Sequence, residues 1–320
     1  MKAIQITGPK SDPQVTLTTT FPKPSPTGTS ILVKVHAAGI TADEITWPEL
    51  YASSTRIPGH DVSGVVEVLG PDYKGPLSPG DEVYAVLRAS TDQGGQAEYV
   101  VVEDRDDISI KPRSISHEQA AALPIPVLTA WEAIHEHAKL GRGRKVLVTG
   151  ASGAVGLMLV QLARHLFDAE VIGLASPRNH GLLREVGVSR VVDYHAPNWE
   201  DSISDVDAVF DTVGGETLAK TWKTVTEDGV IVTVGDPAPP WAFGEGQPEE
   251  LKNHPGVRWV YFIVSAASGL LMRVGRLFDE GSVRPIPVKV FDAERGLEAW
   301  KYAAQRGRDG KVVIQFASSD

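Results

Sequence analysis

Cysteine is absent from all 320 residues. Its absence excludes disulfides, cysteine-ligated zinc and iron–sulfur clusters and a thiol nucleophile together, so any chemistry must run on hydroxyls, carboxylates, imidazoles, amines or a bound cofactor. Basic residues are also in deficit. With 31 Lys+Arg against 41 Asp+Glu the formal net charge is −10, which opposes attraction to a phosphate backbone and makes nucleic acid an unexpected partner. Long apolar runs are missing as well: none approaches the ~20 residues that cross a bilayer, so no membrane partner is expected. The opening Met1-Lys2-Ala3-Ile4-Gln5-Ile6 reads as a strand rather than a leader, and a cytosolic location is the expectation. What remains is ordinary globular composition, 42% hydrophobic and 22% charged, in a chain long enough for two packed domains.

The first ~120 residues carry short β-branched runs between Pro- and Gly-containing turns, with strands predicted at 31–38, 62–69, 82–87 and 97–102. After Pro112 the texture changes. Ser116-His117-Glu118-Gln119 has the pattern of a helix cap. Strands then alternate with helices: strands at 145–149, 170–174, 190–192, 208–210 and 230–234, helices near 154–166, 182–186 and 217–225. This alternation predicts a parallel sheet with helices on its faces. A helix over 265–280, a strand over 283–290, a helix over 293–304 and a last strand over 311–316 complete the reading.

Within that alternation, Val146-Leu147-Val148-Thr149 runs into Gly150-Ala151-Ser152-Gly153-Ala154-Val155-Gly156 and an amphipathic helix. A strand, a small-residue turn and a helix start form the setting in which a Gly-rich turn binds a dinucleotide. Gly153 lets backbone N–H groups approach a pyrophosphate and Gly156 lets the helix pack on the strand. The pattern is A-x-G-x-x-G, with Ala151 at the place of the first glycine, and a tight turn without ligand would also favour small residues. The next strand ends in Ala175-Ser176-Pro177-Arg178-Asn179 with no carboxylate to bind a ribose 2′-hydroxyl. Ser176 and Asn179 can donate hydrogen bonds and Arg178 can pair with a 2′-phosphate, so NADPH is favoured over NADH.

A series of segments now adds to this: Pro58-Gly59-His60-Asp61-Val62-Ser63-Gly64, Pro79-Gly80-Asp81-Glu82-Val83-Tyr84, Gly94-Gly95-Gln96-Ala97-Glu98-Tyr99, Leu128-Thr129-Ala130-Trp131, Val192-Asp193-Tyr194, Asp211-Thr212-Val213-Gly214-Gly215 and Gly310-Lys311-Val312-Val313. In this order they resemble the medium-chain dehydrogenase/reductase superfamily, in its zinc-free branch of quinone oxidoreductases and enoyl reductases. The resemblance implies an α/β protein: a Rossmann-type doubly wound parallel sheet (121–286) plus a GroES-like β-barrel domain (1–120, completed by about 287–320), with the active cleft between them. It also maps cofactor contacts. The phosphate turn falls on Ser152, Gly153, Ala154, Val155 and Gly156, and the 2′-phosphate group on Ser176, Arg178 and Tyr194. The nicotinamide flank falls on Val234, Gly235, Phe262, Ile263 and Val264, with Thr129 near the carboxamide and Lys311 near the phosphates.

Members of the superfamily with catalytic zinc place a Cys where this chain has Thr41, and a catalytic zinc needs three protein ligands. Only His60 survives, read as a turn residue bonded to backbone, and His135 and His137 stand two apart, on different faces of a helix. No metal is expected. Without a Lewis acid, the favoured acceptors spread the developing negative charge to a remote oxygen: enones, 2-alkenals, enoyl thioesters and quinones. Tyr51 matches the tyrosine that enoyl thioester reductases of the family place above the nicotinamide, and Thr41 stands in the same region. The family pattern Asn-x-x-Asp is Thr41-Ala42-Asp43-Glu44 here. Packing on the cleft wall is an equal reading for Tyr51. Trp47 and Trp241 read as pocket-shaping or packing residues. A strand is predicted over 256–264, and the resemblance implies that such an edge strand pairs with its twin in a second subunit, so a homodimer is expected; an edge covered within the chain is the other reading. The competing reading is a nucleotide-binding protein of the same fold with a non-redox or structural role.

Overall fold

The computed structural model describes residues 1–89, 92–103, 107–244, 246–264 and 269–316. The chain divides into two compact units, one of Met1–Ile125 with Ala266–Asp320 and one of Pro126–Ser265.

In the second unit six parallel strands lie in the order Arg190–Val192, Glu170–Leu174, Lys145–Val148, Val206–Asp211, Val225–Thr233, Arg258–Tyr261. Numbered within this sheet along the chain, that is 3-2-1-4-5-6, the Rossmann order. The strands are apolar on both faces because helices such as Ala154–Phe167 return between them. Leu147, Ile172, Leu174, Val209 and Ile231 meet Trp199 and Trp222 in the core. The order reverses between Lys145–Val148 and Val206–Asp211, and the chain leaves these two neighbours in opposite directions, which opens a crevice at their carboxyl ends.

The first unit is built on a seven-stranded sheet: Val288–Asp292, Lys311–Gln315, Ile31–Gly39, Asp61–Leu69, Glu82–Val86 and Asp107–Ile110 in order, with Tyr99–Val102 also paired to Ile31–Gly39. Its pairs are antiparallel except Val288–Asp292 with Lys311–Gln315, which the helix Gly296–Ala303 joins as a parallel crossover. Val33, Val35, Val62, Val66, Val83 and Val100 form its valine-rich core. Ala3–Thr7 and Gln14–Thr18 form a separate hairpin. The GroES-like plus Rossmann class expected from the sequence is what the two units display.

Four elements differ from their predicted form. The strand expected over 256–264 is Arg258–Tyr261, because its ladder ends where Tyr261 faces Thr233; past it the Phe262 N–H still reaches the Thr233 carbonyl at 3.4 Å. Val225 starts a strand instead of ending a helix, and the helix there is Gly215–Thr221. The strand expected over 283–290 is Val288–Asp292. The helix expected over 265–280 is Leu270–Asp279; residues 265–268 lie outside the described residues. The boundary expected at 286 puts this helix with the nucleotide domain, yet it packs in the first unit, where the Leu271 carbonyl accepts a 2.5 Å hydrogen bond from the Tyr84 hydroxyl and Asp279 one of 2.9 Å from the Ser114 N–H.

Candidate dinucleotide site and its surroundings

Gly153 caps the helix Ala154–Phe167 in extended conformation with no side-chain acceptor for the first turn. The first intrahelical bond across the cap is Leu157 N–H to Gly153 carbonyl at 2.8 Å. Among the described residues, no acceptor faces the N–H groups of Ala154, Val155 and Gly156. Three aligned donors at the positive end of a helix suit a pyrophosphate. The space fits too. A Cβ added at Gly153 would meet only the Gly150 carbonyl, at 3.1 Å, so the front of the turn is open, whereas one at Gly156 would strike that oxygen at 2.2 Å. Gly156 is therefore required for the helix to sit against the turn, and Gly153 leaves room for a ligand.

Ser152 extends this turn sideways. Asn179 Nδ2 donates to Ser152 Oγ at 2.9 Å and to Ser176 Oγ at 3.4 Å, joining the phosphate turn to the loop after the second strand of the sheet. Arg178 is exposed in the short turn Pro177–Asn179. Tyr194 is exposed just beyond strand Arg190–Val192, and the Ala175 N–H bonds to the Val192 carbonyl at 3.1 Å, so the two strand ends lie side by side. The structure thus brings Ser152, Ser176, Arg178, Asn179 and Tyr194 to one end of the parallel sheet.

Val234 and Gly235 leave strand Val225–Thr233 at that same end, with Gly235 pressed so closely on Gly214 that a Cβ would lie 2.4 Å from the Gly214 nitrogen. Phe262 is buried and packs on the His137 ring with centroids 4.4 Å apart, Ile263 is 70% exposed and Val264 half-buried. Thr129 is buried in the helix Pro124–Glu132.

A carboxylate of the segment Asp211-Thr212-Val213-Gly214-Gly215 organises this end of the sheet. Asp211 is 1% exposed and closes strand Val206–Asp211. One of its oxygens accepts from Thr149 Oγ1 at 2.6 Å and Val213 N–H at 3.3 Å, the other from Thr233 Oγ1 at 2.7 Å and Gly214 N–H at 3.0 Å. Thr149 follows the first strand of the sheet and Asp211 ends the fourth, so their bond spans the place where the order reverses. Four donors replace water around the buried charge. The signal in the sequence was a hydrophobic strand ending in Asp-Thr with two glycines following.

In the first unit, Tyr51 sits on the helix Pro48–Ala52, and its hydroxyl donates to the Ile45 carbonyl at 2.9 Å. Burial pushes the phenol up from its ordinary value, and the Arg56 guanidinium above its ring draws it partly back. The phenol therefore keeps its proton at neutral pH, as a donor must. Thr41 is half-buried, and its carbonyl accepts from Glu44 N–H. Lys311, expected near the phosphates, is buried with its ammonium bonded to the Asp61 carboxylate. Asp61 also accepts from Ile125 N–H at 2.7 Å; burial pushes its carboxyl up and Lys311 pulls it down. The Lys311 cation is thus engaged within its own unit.

His60 bonds backbone as expected, its carbonyl accepting from the Leu87 N–H at 2.7 Å. Its Nδ1 stands 3.0 Å from Glu44 Oε1, a fully buried carboxylate oxygen that accepts from Gly59 N–H. Trp47 covers the His60 ring and bonds Asp43 through Nε1, while Trp241 packs on Trp259 in the core. His135 packs on Trp131 and Phe167 and His137 on Phe262, on different sides of the π-helical turn Ala133–Ala138. Among the described residues, no group of three His, Asp or Glu side chains is arranged to hold a metal ion. No helix among them is long and apolar enough to cross a membrane.

Residues 27–112 match the alcohol dehydrogenase GroES-like domain and residues 186–314 the zinc-binding dehydrogenase domain. The chain is 34% identical to the 2-methylene-furan-3-one reductase of Solanum lycopersicum over 81% of its own length and 63% of that protein's. It is 32% identical to the chloroplastic NADPH-dependent alkenal/one oxidoreductase of Arabidopsis thaliana, over 89% of this chain and 71% of that one. The solved quinone oxidoreductase of Coxiella burnetii superimposes with a TM-score of 0.84 at 28% identity, covering 99% of both chains. The chain is an oxidoreductase that belongs to the medium-chain dehydrogenase/reductase superfamily, in its quinone oxidoreductase and enoyl reductase branch, whose members bind a nicotinamide cofactor.

Proposed function

We propose that this protein is an NADPH-dependent reductase that passes hydride to a conjugated acceptor, a quinone, an enone or 2-alkenal, or an enoyl thioester, without zinc. The observation that carries the reading is the open phosphate turn with three unaccepted N–H groups, set beside a loop that offers Ser176 and Arg178 instead of a carboxylate. Bound NADPH supplies the hydride. The N–H groups of Ala154, Val155 and Gly156 hold the pyrophosphate, and Ser176, Arg178 and Tyr194 hold the 2′-phosphate. Val234, Gly235 and residues 262–264 flank the nicotinamide, and Thr129 orients its carboxamide.

Hydride entering the β-carbon of an enone moves an electron pair onto the carbonyl oxygen, and a proton must follow to carbon or oxygen. Hydroxyl donors in the first unit serve that stage: Tyr51 as proton donor, Thr41 as hydrogen-bond donor to the developing oxyanion. The names of the tomato and Arabidopsis relatives support enones and alkenals as the acceptor class. The lack of any cysteine or three-ligand cluster among the described residues supports the zinc-free route.

The test is incubation with NADPH and a panel of enones, enoyl thioesters and quinones, following the loss of reduced-cofactor absorbance. Acceptor-dependent oxidation is expected, and silence across the panel would hand the case to the non-redox alternative. Arg178→Ala should weaken NADPH about tenfold and leave NADH unchanged, as loss of one charge-assisted bond to phosphate predicts. Tyr51→Phe should lower turnover with enones and spare cofactor affinity; unchanged turnover makes it a packing residue. Strand Arg258–Tyr261 has a sheet neighbour on one side only among the described residues, which supports a homodimer, read by light scattering. The cytosolic location is read by cell fractionation, with recovery in an organelle overturning it.

A further inference from the structure

Discrimination between NADPH and NADH rests on one charged group, the 2′-phosphate. The loop 176–179 and Tyr194 are the groups assigned to it above, and one anion lies among them. Asp193 directly precedes Tyr194 at the end of its strand, beside the loop that begins at Ala175. A free carboxylate there would repel a 2′-phosphate and would accept a hydrogen bond from an unphosphorylated ribose, which favours NADH. Asp193 is not free. Its Oδ1 accepts from the His195 N–H at 3.0 Å and from His195 Nδ1 at 2.9 Å. The His195 backbone N–H does most to hold the Asp193 carboxyl below its ordinary range; burial opposes it, and the His195 ring and His180 add to the lowering. The His195 ring also lies against Tyr194, with centroids 4.0 Å apart, so the imidazole both bonds Asp193 Oδ1, beside the backbone N–H of its own residue, and props the tyrosine. Neither side chain serves a core: His195 is 60% exposed and Tyr194 48%.

We propose that the Asp193–His195 pair sets cofactor selectivity: His195 occupies the Asp193 carboxylate and holds Tyr194, so that the site accepts a 2′-phosphate that the bare carboxylate would repel. The inference rests on the NADPH reading above and assigns to it a positioning residue, His195, and an opposing charge, Asp193.

The experiment is fluorescence titration of NADPH and NADH into the wild type, His195→Ala, Asp193→Asn and the double variant, with thermal midpoints recorded for each. His195→Ala should weaken NADPH roughly 3- to 5-fold, the scale of exposed charge interactions, and leave NADH unchanged or tighter. Adding Asp193→Asn should restore most of the NADPH affinity, because the repelling charge is gone. An NADPH/NADH ratio that His195→Ala leaves unmoved overturns the proposal, as does equal weakening of both cofactors or failure of Asp193→Asn to rescue. A wild-type ratio near one overturns the NADPH reading itself, while the change of ratio between wild type and His195→Ala still tests the pair.

Discussion

Two aspartates, Asp61 in the first unit and Asp211 in the second, are each 1% exposed, and the two units treat them differently. Asp61 is matched by a full charge, the Lys311 ammonium, plus one backbone N–H. Asp211 is matched by dipoles alone among the interactions described, two hydroxyls and two backbone N–H groups. The ion pair joins residues 250 apart and ties the last strand to the early part of the chain, which is a closing device. The dipole cage gathers three strand ends and the loops that leave them, which is a shaping device at the ligand end of the sheet. A buried carboxylate is costly in either case, and its partners decide whether it anchors the fold or fixes the loops of a site.

The largest expected break in this comparison is Lys311→Met. It strands Asp61 in the interior and should cost about 3–5 kcal/mol in denaturant unfolding, with Asp61→Asn in the same chain recovering much of it. A loss below about 1 kcal/mol would show that the Lys311 charge is not needed there. Acid should also strike the first unit. His117 bonds Ser63 Oγ at 2.8 Å, stacks on His36 at 4.3 Å and lies near Lys111 and Glu82. Burial, then the charges of His36 and Lys111, lower its pKa from 6.5 to about 4. Because the unfolded chain takes up this proton first, the stability it confers is present above pH 6.5 and is lost as pH falls from 6.5 towards 4, roughly 2–3 kcal/mol in all. His117→Asn should flatten that slope in unfolding curves measured across the range.

Asp211→Asn sharpens the contrast from the other side. An amide replaces one acceptor oxygen by a donor facing donors, so a loss of about 1–3 kcal/mol is expected, together with weaker cofactor binding because the loops at 213–214 and 234–235 lose their anchor. If KM for NADPH stays fixed while stability falls, Asp211 is an anchor like Asp61 and the distinction collapses. The smallest effect belongs to Thr149→Val, one hydroxyl of the cage, at about 1 kcal/mol of stability with a small rise in KM.

Periodicity and turn chemistry made the parallel sheet legible: strands Glu170–Leu174 and Arg190–Val192 and the helix after Gly153 stand where hydrophobic spacing and small-residue turns put them. Boundaries set by pairing were not legible. Residues 262–264 are as apolar as a strand, but strand status requires a neighbour, and the ladder beside them has ended at Thr233. Of the site, the donors Ser152, Ser176, Arg178, Asn179 and Tyr194 could be named because a strand end followed by polar residues is visible in one dimension. The partners of Lys311 and His60 could not, since Asp61 and Glu44 become neighbours only when distant segments meet.

Residue type and local spacing were enough to read the class of the molecule and to mark a small-residue turn before a helix, because both are written along the chain. The tertiary structure decided which carboxylates are caged, which cations are already engaged and which hydroxyls share one end of the sheet. Burial and long-range contact set those properties, and neither exists until the chain has folded.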